Sequence, residues 1–570
     1  MSNTAPDDAM RTLVVHGHFY QPPREDPRTG EVPVEAGAAP WHDYNAKIAA
    51  ECYHPNLVAR VVDGSGRVVD MVDNYARMSF NIGPTLLAWL ESHASDTYAR
   101  ICTTGSTTHN AIAQGFNHSI LPLCNDRDLR TQVRWGLADF RFRFGYRAEG
   151  MWLPETGVDD RVLAVLAEEG VQFTILAPRQ AVSVRVEGQT DWQAVDEESL
   201  DTSILYRWSH PEDPRRTVTV LFYDGPLSNE IAFGIGGLSS EAFINQVAVR
   251  ARATNRAGRL LAVATDGETF GHHHHFADRT LGFALSRIAQ QHGLEVRSAA
   301  EVVRTHPADA SVRIRESAWS CAHGLGRWTT DCGCATGGGP GWHQRWRAPL
   351  RTALDLLRDI AAATYERRGR LVMRDPWAAR DAAVDVFIGA RSFGDFAAEE
   401  LLAPDDGESV RVATELLESQ RLAMAMFTSC GWFFNDIAGI EARIVLRFAA
   451  GLVVSLQRID EALPIERFVE ILGSAEGNQA LNGADVWRSV LAEVADRSGD
   501  VDRGDVDRRD VDRRDFAALD WAPIVSDHDR AQEAVFEALR VGSALDASAL
   551  AVVGGALGLR VPPSPNSPLQ

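Results

Sequence analysis

The sequence predicts an α/β barrel followed by a mostly α-helical C-terminal region. Short apolar runs of β type alternate with helical stretches from residue 12 to about residue 300. Continuous apolar runs suit strands that are buried on both faces, as in a parallel sheet or barrel covered by helices. After about residue 300 the spacing of apolar residues becomes helical, and β-type runs become rare.

Several of the predicted strands end in a polar residue. The clearest runs are residues 12–16 (TLVVH), 150–155 (GMWLPE), 171–177 (VQFTILA), 218–224 (VTVLFYD) and 260–266 (LLAVATD). Residues 159–169 are predicted to form a helix, because acidic residues open this stretch and a glycine follows it. Functional residues of such barrels lie at the C-terminal ends of the strands. The residues in that position are His16, Glu155, Asp224 and Asp266.

The same patterns predict two domains, a catalytic barrel over residues 1–305 and a helical domain over residues 306–560. Helical spacing is seen in residues 345–368, 409–429, 440–458, 530–540 and 544–557. Residues 321–342, rich in Gly, Trp, His and Cys, form a loop that we expect to close over the barrel mouth. Residues 497–515 repeat an Asp/Arg unit and are predicted to be a low-complexity insertion, and residues 561–570 a loose tail.

Composition and charge narrow the possible partners. The chain has 570 residues, with 57 Lys and Arg against 78 Asp and Glu, so its formal net charge is −21. This acidic balance disfavours nucleic acid or an anionic membrane as the main partner. The sequence has neither an apolar run of spanning length nor a secretory signal pattern, so we expect a cytoplasmic protein. Seven scattered cysteines favour reduced thiols over a disulfide framework, and the oligomeric state is left open.

Two acidic residues have a context that suits catalysis. Glu155 ends a rigid apolar run, and Asp266 opens the polar run 266–275 (DGETFGHHHH). Carboxylates at the C-terminal ends of two barrel strands can converge across the barrel mouth, and a converging pair is what glycoside hydrolysis requires. The simpler alternative is that each carboxylate caps a helix or pairs with an arginine.

These residues resemble motifs of glycoside hydrolase family 57, whose members act mainly on α-glucans. Residues 16–22 (HGHFYQP) are similar to its first motif, and residues 116–123 (FNHSILPL) to a further family segment. Residues 150–155 resemble the motif of the catalytic nucleophile, and residues 266–272 (DGETFGH) that of the general acid/base. The resemblance covers roughly residues 10–300, and the rest of the chain resembles a helical domain of unknown function found with one subgroup.

The resemblance implies a distorted (β/α)7 barrel and a retaining mechanism that uses no catalytic metal and no other cofactor. It assigns the nucleophile to Glu155 and the general acid/base to Asp266. Other residues in or beside the motifs are candidates to contact the sugar or to orient the two carboxyl groups: His16, His18, Gln21, His118, Glu268 and His272. The sugar and linkage specificity is left open, because His272–His275 stand where amylase-type members tend to have aromatics.

Aromatic side chains would supply the rest of a sugar site, because pyranose faces pack on rings. Trp152 is the first candidate, and Trp328, Trp342 and Trp432 from the C-terminal region are further candidates. Packing at the interface between the two regions is the alternative for each of these tryptophans.

Cysteines and histidines also raise the question of a metal. Potential ligands are Cys321, His323, Cys332, Cys334 and Cys430. Their spacing matches no recognised ligand pattern, so we favour free thiols and predict no metal. The run His272–His275 leaves a metal-dependent polysaccharide deacetylase as an alternative, although the ligand set for a hard cation is incomplete.

The sequence therefore predicts a retaining glycoside hydrolase or glucanotransferase whose partner is a glycan, an α-linked glucan or oligosaccharide. A non-catalytic carbohydrate-binding or regulatory protein on the same barrel is the rival, and the presence of both carboxylates argues against it.

Overall fold

A computed structural model describes residues 11–253 and 260–502 of the chain. Of these, residues 11–33, 45–253 and 260–501 belong to one compact unit, and residues 34–44 belong to a second. The predicted insertion at 497–515 lies largely outside the described residues. The predicted helices at 530–540 and 544–557 and the predicted tail at 561–570 lie entirely outside them.

Strands are concentrated in the first 314 residues. Within the described residues they are β1 (Arg11–Phe19), β2 (Ala59–Val62), β3 (Val68–Val72), β4 (Ser79–Ile82), β5 (Ala113–Gln114), β6 (Met151–Trp152), β7 (Phe173–Leu176), β8 (Ala181–Val186), β9 (Gln193–Ala194), β10 (Leu205–Ser209), β11 (Thr217–Phe222), β12 (Leu260–Asp266), β13 (Leu294–Val296) and β14 (Ala308–Ile314).

Helices alternate with these strands and then continue alone. Those of the first part are α1 (Tyr44–Ile48), α2 (His54–Leu57), α3 (Pro84–His93), α4 (Ser95–Thr108), α5 (Asp126–Phe144), α6 (Asp160–Glu168), α7 (Gly225–Gly234), α8 (Ser240–Ala253), α9 (Ala277–His292) and α10 (Ala299–Thr305). Those of the second part are α11 (Arg347–Val372), α12 (Pro376–Ala382), α13 (Val384–Phe387), α14 (Phe393–Glu400), α15 (Gly407–Ala425), α16 (Ile440–Gln457), α17 (Glu466–Gly473) and α18 (Gly483–Asp502).

The strands form four separate sheets. In the first, β1 pairs in parallel with β12, β13 and β4. A second, mixed sheet has the order β7-β11-β10-β14-β8-β9, and two-stranded sheets are formed by β2 with β3 and by β5 with β6. The chain thus combines a mixed α/β part with a helical part, as predicted, but no closed barrel is found among the described residues.

The antiparallel half of the second sheet was not predicted. Strands β8 and β14 alternate between buried and exposed residues, because each has one solvated face, and neither presents the continuous apolar run on which the prediction relied. Strand β14 also lies beyond the predicted domain boundary at residue 305. Since it pairs with β10 and β8, the α/β part of the structure extends to Ile314.

The register of strand β1 with its neighbours places polar residues of three strands side by side. Eight of its nine residues are buried, as expected for a central parallel strand covered on both faces. Its register places His18 opposite Asp266 on β12 and opposite Asn81 on β4. Three polar residues from three neighbouring strands therefore meet at the C-terminal ends of the strands.

The helical part is built around α11, α15 and α16, which bury a continuous apolar core. That core also includes Ile120, Ala318 and Cys321 from outside these helices. The helices are therefore packed against the segment that follows β14. Within the described residues, no helix combines the length and the apolar character needed to cross a bilayer.

Candidate active site

Glu155 lies in a turn directly after the short strand β6. Its backbone has φ 56° and ψ 21°, and the next residue, Thr156, also has a positive φ of 49°. Residues other than glycine rarely adopt this left-handed conformation, which persists only where the surroundings hold it. One holding contact is a hydrogen bond of 2.9 Å from the backbone N–H of Trp319 to the carbonyl of Glu155.

The carboxylate of Glu155 accepts two side-chain hydrogen bonds. The indole Nε1 of Trp319 and the hydroxyl of Ser320 both donate to Oε2, at 3.0 and 2.5 Å. Burial raises the pKa of Glu155 above its ordinary value, while the two donors and the charge of Arg327 act in the opposite direction. The donors thus stabilise the ionised form of a carboxylate that is partly removed from water.

Asp266 ends strand β12. Solvent reaches its side chain, but protein atoms surround the carboxylate closely enough for desolvation to raise its pKa well above the ordinary value. The negative charges of Glu268 and Glu155 raise this pKa further. Asp266 is therefore more strongly biased towards the protonated form than Glu155, which has hydrogen-bond donors.

Glu268 lies in the turn after β12 and is buried. Its Oε1 accepts hydrogen bonds from the backbone N–H of Tyr20, at 3.1 Å, and from the hydroxyl of Tyr53, at 2.8 Å. Burial raises the pKa of Glu268 to about 7, although both hydrogen bonds oppose the shift. The charge of Glu268 raises the pKa of Asp266, but its hydrogen bonds are made to Tyr20 and Tyr53.

A buried cluster of histidines lies beside the two carboxyl groups. Nε2 of His16 is 3.1 Å from Oδ1 of Asn81, and the amide nitrogen of Asn81 is 3.0 Å from Nδ1 of His18. Nε2 of His18 is 3.1 Å from Nε2 of His118, whose Nδ1 is 2.6 Å from the hydroxyl of Ser429. Burial lowers the pKa of both His16 and His18 to about 3, so these rings are neutral.

Trp152 packs between this histidine cluster and Trp319. Its ring stacks on His16 and His18 with centroid distances of 4.9 Å, and it meets Trp319 edge-on at 5.0 Å. Trp152 is fully buried, whereas Trp319 is half-buried. In this structure Trp152 is a packing residue among the rings of His16, His18 and Trp319, and Trp319 has the ring with an accessible surface.

Three other candidates have partners away from the carboxyl groups. The side-chain oxygen of Gln21 accepts a hydrogen bond of 3.0 Å from Arg24. Nδ1 of His272 is 2.6 Å from a carboxylate oxygen of Glu51. Asp224 is the N-cap of α7, where it accepts a backbone hydrogen bond, and it also pairs with Arg250. This carboxylate therefore caps a helix and pairs with an arginine, which was the simpler alternative to a catalytic role.

The tryptophans of the C-terminal region differ in exposure. Trp328 and Trp432 are fully buried and donate from Nε1 to backbone carbonyls of Ser429 and Arg347. Their rings have no accessible face on which a sugar could pack in this structure. Trp342 is 36% exposed and is the one predicted tryptophan of this set with an accessible ring.

Sequence reasoning missed several residues of the site. Asn81 is the penultimate residue of strand β4, so the rule of polar residues near strand ends that selected Asp266 would also have found it. Trp319 and Ser320 immediately precede the predicted loop at 321–342. They are about 165 residues from Glu155 in the sequence, and no motif around them indicates a contact with it.

Potential metal ligands gather at one place in the described part of the chain, formed by Cys321, His323, Cys332 and Cys334. The histidines of the run 272–275 are not in such a group. His274, for example, lies 2.9 Å from the carbonyl oxygen of Ala232. The ligand set of a metal-dependent deacetylase is therefore not assembled by this run.

The buried Glu268 should make stability depend on pH. Its pKa is raised from 4.5 to about 7 in the folded state, so the folded protein keeps a proton that the unfolded chain loses. The free energy of unfolding therefore includes a contribution from Glu268 of roughly 3 kcal/mol, which is fully present below about pH 4.5 and is lost as the pH rises towards 7. The Glu268→Gln variant keeps an oxygen for both hydrogen bonds and should gain stability relative to wild type between about pH 5 and pH 8.

Melting temperatures of both proteins across this pH range measure the effect, with the exposed Glu241→Gln variant as a control that should track wild type. Parallel melting curves for wild type and Glu268→Gln would contradict the raised pKa.

Comparisons with known proteins agree with this fold. Residues 77–315 match the profile of glycosyl hydrolase family 57, and residues 342–498 match that of a domain of unknown function, DUF3536. An exo-type maltose-forming amylase from Pyrococcus sp. ST04 is similar in structure, with a TM-score of 0.60 and 15% identity over 81% of this chain and 82% of that protein. An α-amylase from Thermotoga maritima has a TM-score of 0.51 and 12% identity over 84% of this chain and 99% of that protein.

No functionally curated protein matches the sequence. The family profile and the profile of the helical domain match consecutive parts of the chain, and the motifs at 16–22 and 266–272 lie at the carboxyl ends of the adjoining strands β1 and β12. The chain thus resembles glycosyl hydrolase family 57 over residues 77–315 and carries DUF3536 over residues 342–498.

Proposed function

We propose that the protein is a retaining glycoside hydrolase or glucanotransferase that acts on α-linked glucans, with Glu155 as nucleophile and Asp266 as general acid/base. The observation that carries this proposal is the pair of strand-end carboxyl groups, close enough to interact and held in unequal environments. Two titratable groups whose surroundings push their pKa values apart are the signature of an acid and a nucleophile.

In the proposed first step, Asp266 donates its proton to the glycosidic oxygen while the carboxylate of Glu155 attacks the anomeric carbon. The bond to the leaving group breaks, and a glycosyl ester forms on Glu155. Asp266, now ionised, removes a proton from water or from a sugar hydroxyl, which attacks the same carbon and releases Glu155. Water as acceptor gives hydrolysis, and a second sugar gives glucanotransfer.

The donors on Glu155 suit this role. Trp319 and Ser320 both bind Oε2, so Oε1 has no hydrogen bond from the two donors and is available for attack. They also stabilise the charge that a nucleophile needs before the reaction and recovers after it.

Neutral histidines support the site without adding charge. His16 and His18 have lowered pKa values, and their ring nitrogens are engaged within the protein, with Ser79, Asn81 and His118. We assign the sugar-stacking surface beside the nucleophile to the half-buried Trp319 in place of the buried Trp152, and we retain Trp342 as a candidate for a more distant sugar unit.

We also propose that the parallel strands follow the order of a seven-stranded barrel, β1-β4-β5-β6-β7-β11-β12. Ladders join β12 to β1, β1 to β4, β5 to β6 and β7 to β11. Isolated parallel bridges link Phe80 with Ala111 and Gly150 with Phe173, and the N–H of Asp224 donates to the carbonyl of Ala262 at 2.7 Å. This order would bring the ends of β6 and β12 to one mouth.

Removing either carboxyl group should greatly slow turnover, and the product formed with azide should show which group was removed. With an aryl α-glucoside as substrate, we expect Glu155→Ala to lose several orders of magnitude in rate. Added azide should restore part of the rate by taking the place of the lost carboxylate, and the product should be the β-glucosyl azide. Asp266→Ala with azide should instead give the α-glucosyl azide, because azide then attacks the ester on Glu155.

The exposed Glu187→Gln variant is the control and should turn over α-glucans as wild type does. Near-wild-type activity of Glu155→Ala would refute the assignment. Wild-type protein that binds α-glucans but produces neither shorter nor longer chains would favour the binding-protein rival.

Ser320→Ala should shift the pH dependence of the reaction in one direction. The hydroxyl of Ser320 lowers the pKa of Glu155 by stabilising the carboxylate. Its loss should raise that pKa and move the acidic limb of the profile of kcat/KM to higher pH. The alkaline limb, set by Asp266, should stay in place.

The Ser409→Ala variant, which loses a surface hydrogen bond to Asp406, serves as a control with both limbs unchanged. An unchanged acidic limb in Ser320→Ala, or an equal shift of both limbs, would contradict the role given to this hydrogen bond.

A further inference from the structure

A second cluster of reactive side chains lies in the segment that follows β14. Cys321, His323, Cys332 and Cys334 each offer one ligand atom, and these four atoms all lie within 4.8 Å of one another. Cys321 is buried, Cys332 and Cys334 are partly buried, and His323 is at the surface. The mechanism proposed above uses none of them.

The distances between the ligand atoms fit a single metal ion. Sγ of Cys321 is 3.9 Å from Sγ of Cys332 and 3.8 Å from Sγ of Cys334. Nδ1 of His323 is 3.5 Å from Sγ of Cys334. Tetrahedral zinc with Zn–S bonds of about 2.3 Å has S–S edges of about 3.8 Å, and S–N edges of about 3.6 Å when the Zn–N bond is about 2.1 Å.

We propose that these four side chains bind one Zn²⁺ ion in a closed tetrahedral Cys3His site. Thiolate and imidazole ligands select zinc over hard cations, which take oxygen ligands. The protein fills all four positions and leaves none for a substrate or a water molecule, so the site is structural.

The backbone is arranged to present the ligands as two close pairs. One residue separates Cys321 from His323, and Gly333 alone separates Cys332 from Cys334. Gly333 has a φ of 80°, a conformation that a residue with a side chain rarely adopts. This residue turns the chain sharply between its two cysteine neighbours.

Charge around the cluster supports the same conclusion. Three thiolates and one Zn²⁺ ion carry a net charge of −1, and two buried arginines lie next to the ligands. Arg347 donates to the carbonyl of Cys334 at 2.7 Å, and Arg327 donates to that of Ser320 at 3.1 Å. Across the described ranges Arg347 is in no ion pair with a carboxylate, and the negative charge that acts on Arg327 is that of Glu155. An anionic metal centre would therefore help to balance two cations that are costly to bury.

A disulfide explains the arrangement less well. A disulfide joins two sulfurs at about 2.05 Å, and Cys321 is nearly equidistant from two partners at almost twice that length. A disulfide would also leave the third cysteine and the histidine beside it without a role.

The site has a consequence for catalysis that rests on the proposed function. Cys321 directly follows Ser320 and Trp319, the two donors to the carboxylate of Glu155. Bound zinc would anchor this segment at its C-terminal side. The four ligands thus act as positioning residues for the donors, without touching the substrate.

The metal content of the full-length protein tests the proposal. After purification without chelators, elemental analysis should find about one zinc per chain in wild type and almost none in the Cys332→Ser/Cys334→Ser double variant. Cys124→Ser changes a cysteine outside the cluster and should keep its zinc.

Cobalt gives a measurement on unmutated protein, in case the double variant does not fold. Wild type exchanged with Co²⁺ should show the intense visible absorption and the thiolate-to-metal bands of a tetrahedral site. Wild type that holds no zinc after growth in zinc-supplemented medium, or whose cluster cysteines form a disulfide, would overturn the proposal. Zinc in a protein inactive on every α-glucan would support the metal site and count against the proposed function, so the two failures are distinguishable.

Discussion

The hydrogen bonds from Trp319 and Ser320 to the carboxylate of Glu155 are the contact on which the rest of the site depends. They join a strained turn after β6 to the segment between β14 and the helical part, two regions far apart in sequence. A left-handed glutamate costs on the order of 1–3 kcal/mol and must be held by its surroundings. The same two residues hold the turn, stabilise the charge and present a partly accessible indole ring.

The electrostatic surroundings of Glu155 and Asp266 shift their pKa values to different extents. Burial raises both pKa values, but only Glu155 has donors that oppose the shift, whereas Asp266 has the negative charges of Glu268 and Glu155 nearby. The asymmetry therefore comes from neighbours rather than from the carboxyl groups themselves. The charge of Glu268 raises the pKa of Asp266. Its two hydrogen bonds join Tyr20 and Tyr53, which lie in separate segments, to the turn after β12. The buried, neutral histidines add polar groups without disturbing this balance.

The parts of the fold that follow local rules could be predicted from the sequence. Strands β1, β7, β11 and β12 are continuous apolar runs, and helices α6, α11, α15 and α16 have clear apolar spacing, so their positions were foreseen to within a few residues. Polar residues at strand ends pointed to Glu155 and Asp266 for the same reason. What depends on tertiary contact was missed, namely the antiparallel strands β8 and β14 and the donors on Glu155. For Trp328 and Trp432 the sequence left sugar contact and interface packing open, and both side chains are buried. The four potential metal ligands of the loop were named from the sequence, but their spacing follows no known pattern, so their convergence in the folded loop was not predicted.

The central claim is that Glu155 forms a covalent bond to the sugar. The most direct test is incubation of wild type with 5-fluoro-α-D-glucosyl fluoride, which slows the release of the glycosyl ester in retaining enzymes, followed by mass spectrometry of the intact protein and its peptides. The account predicts a mass increase of one fluoroglucosyl group, located on the peptide that contains Glu155 and absent from Glu155→Gln. A label on any other carboxylate, or turnover of α-glucans without any label, would contradict it.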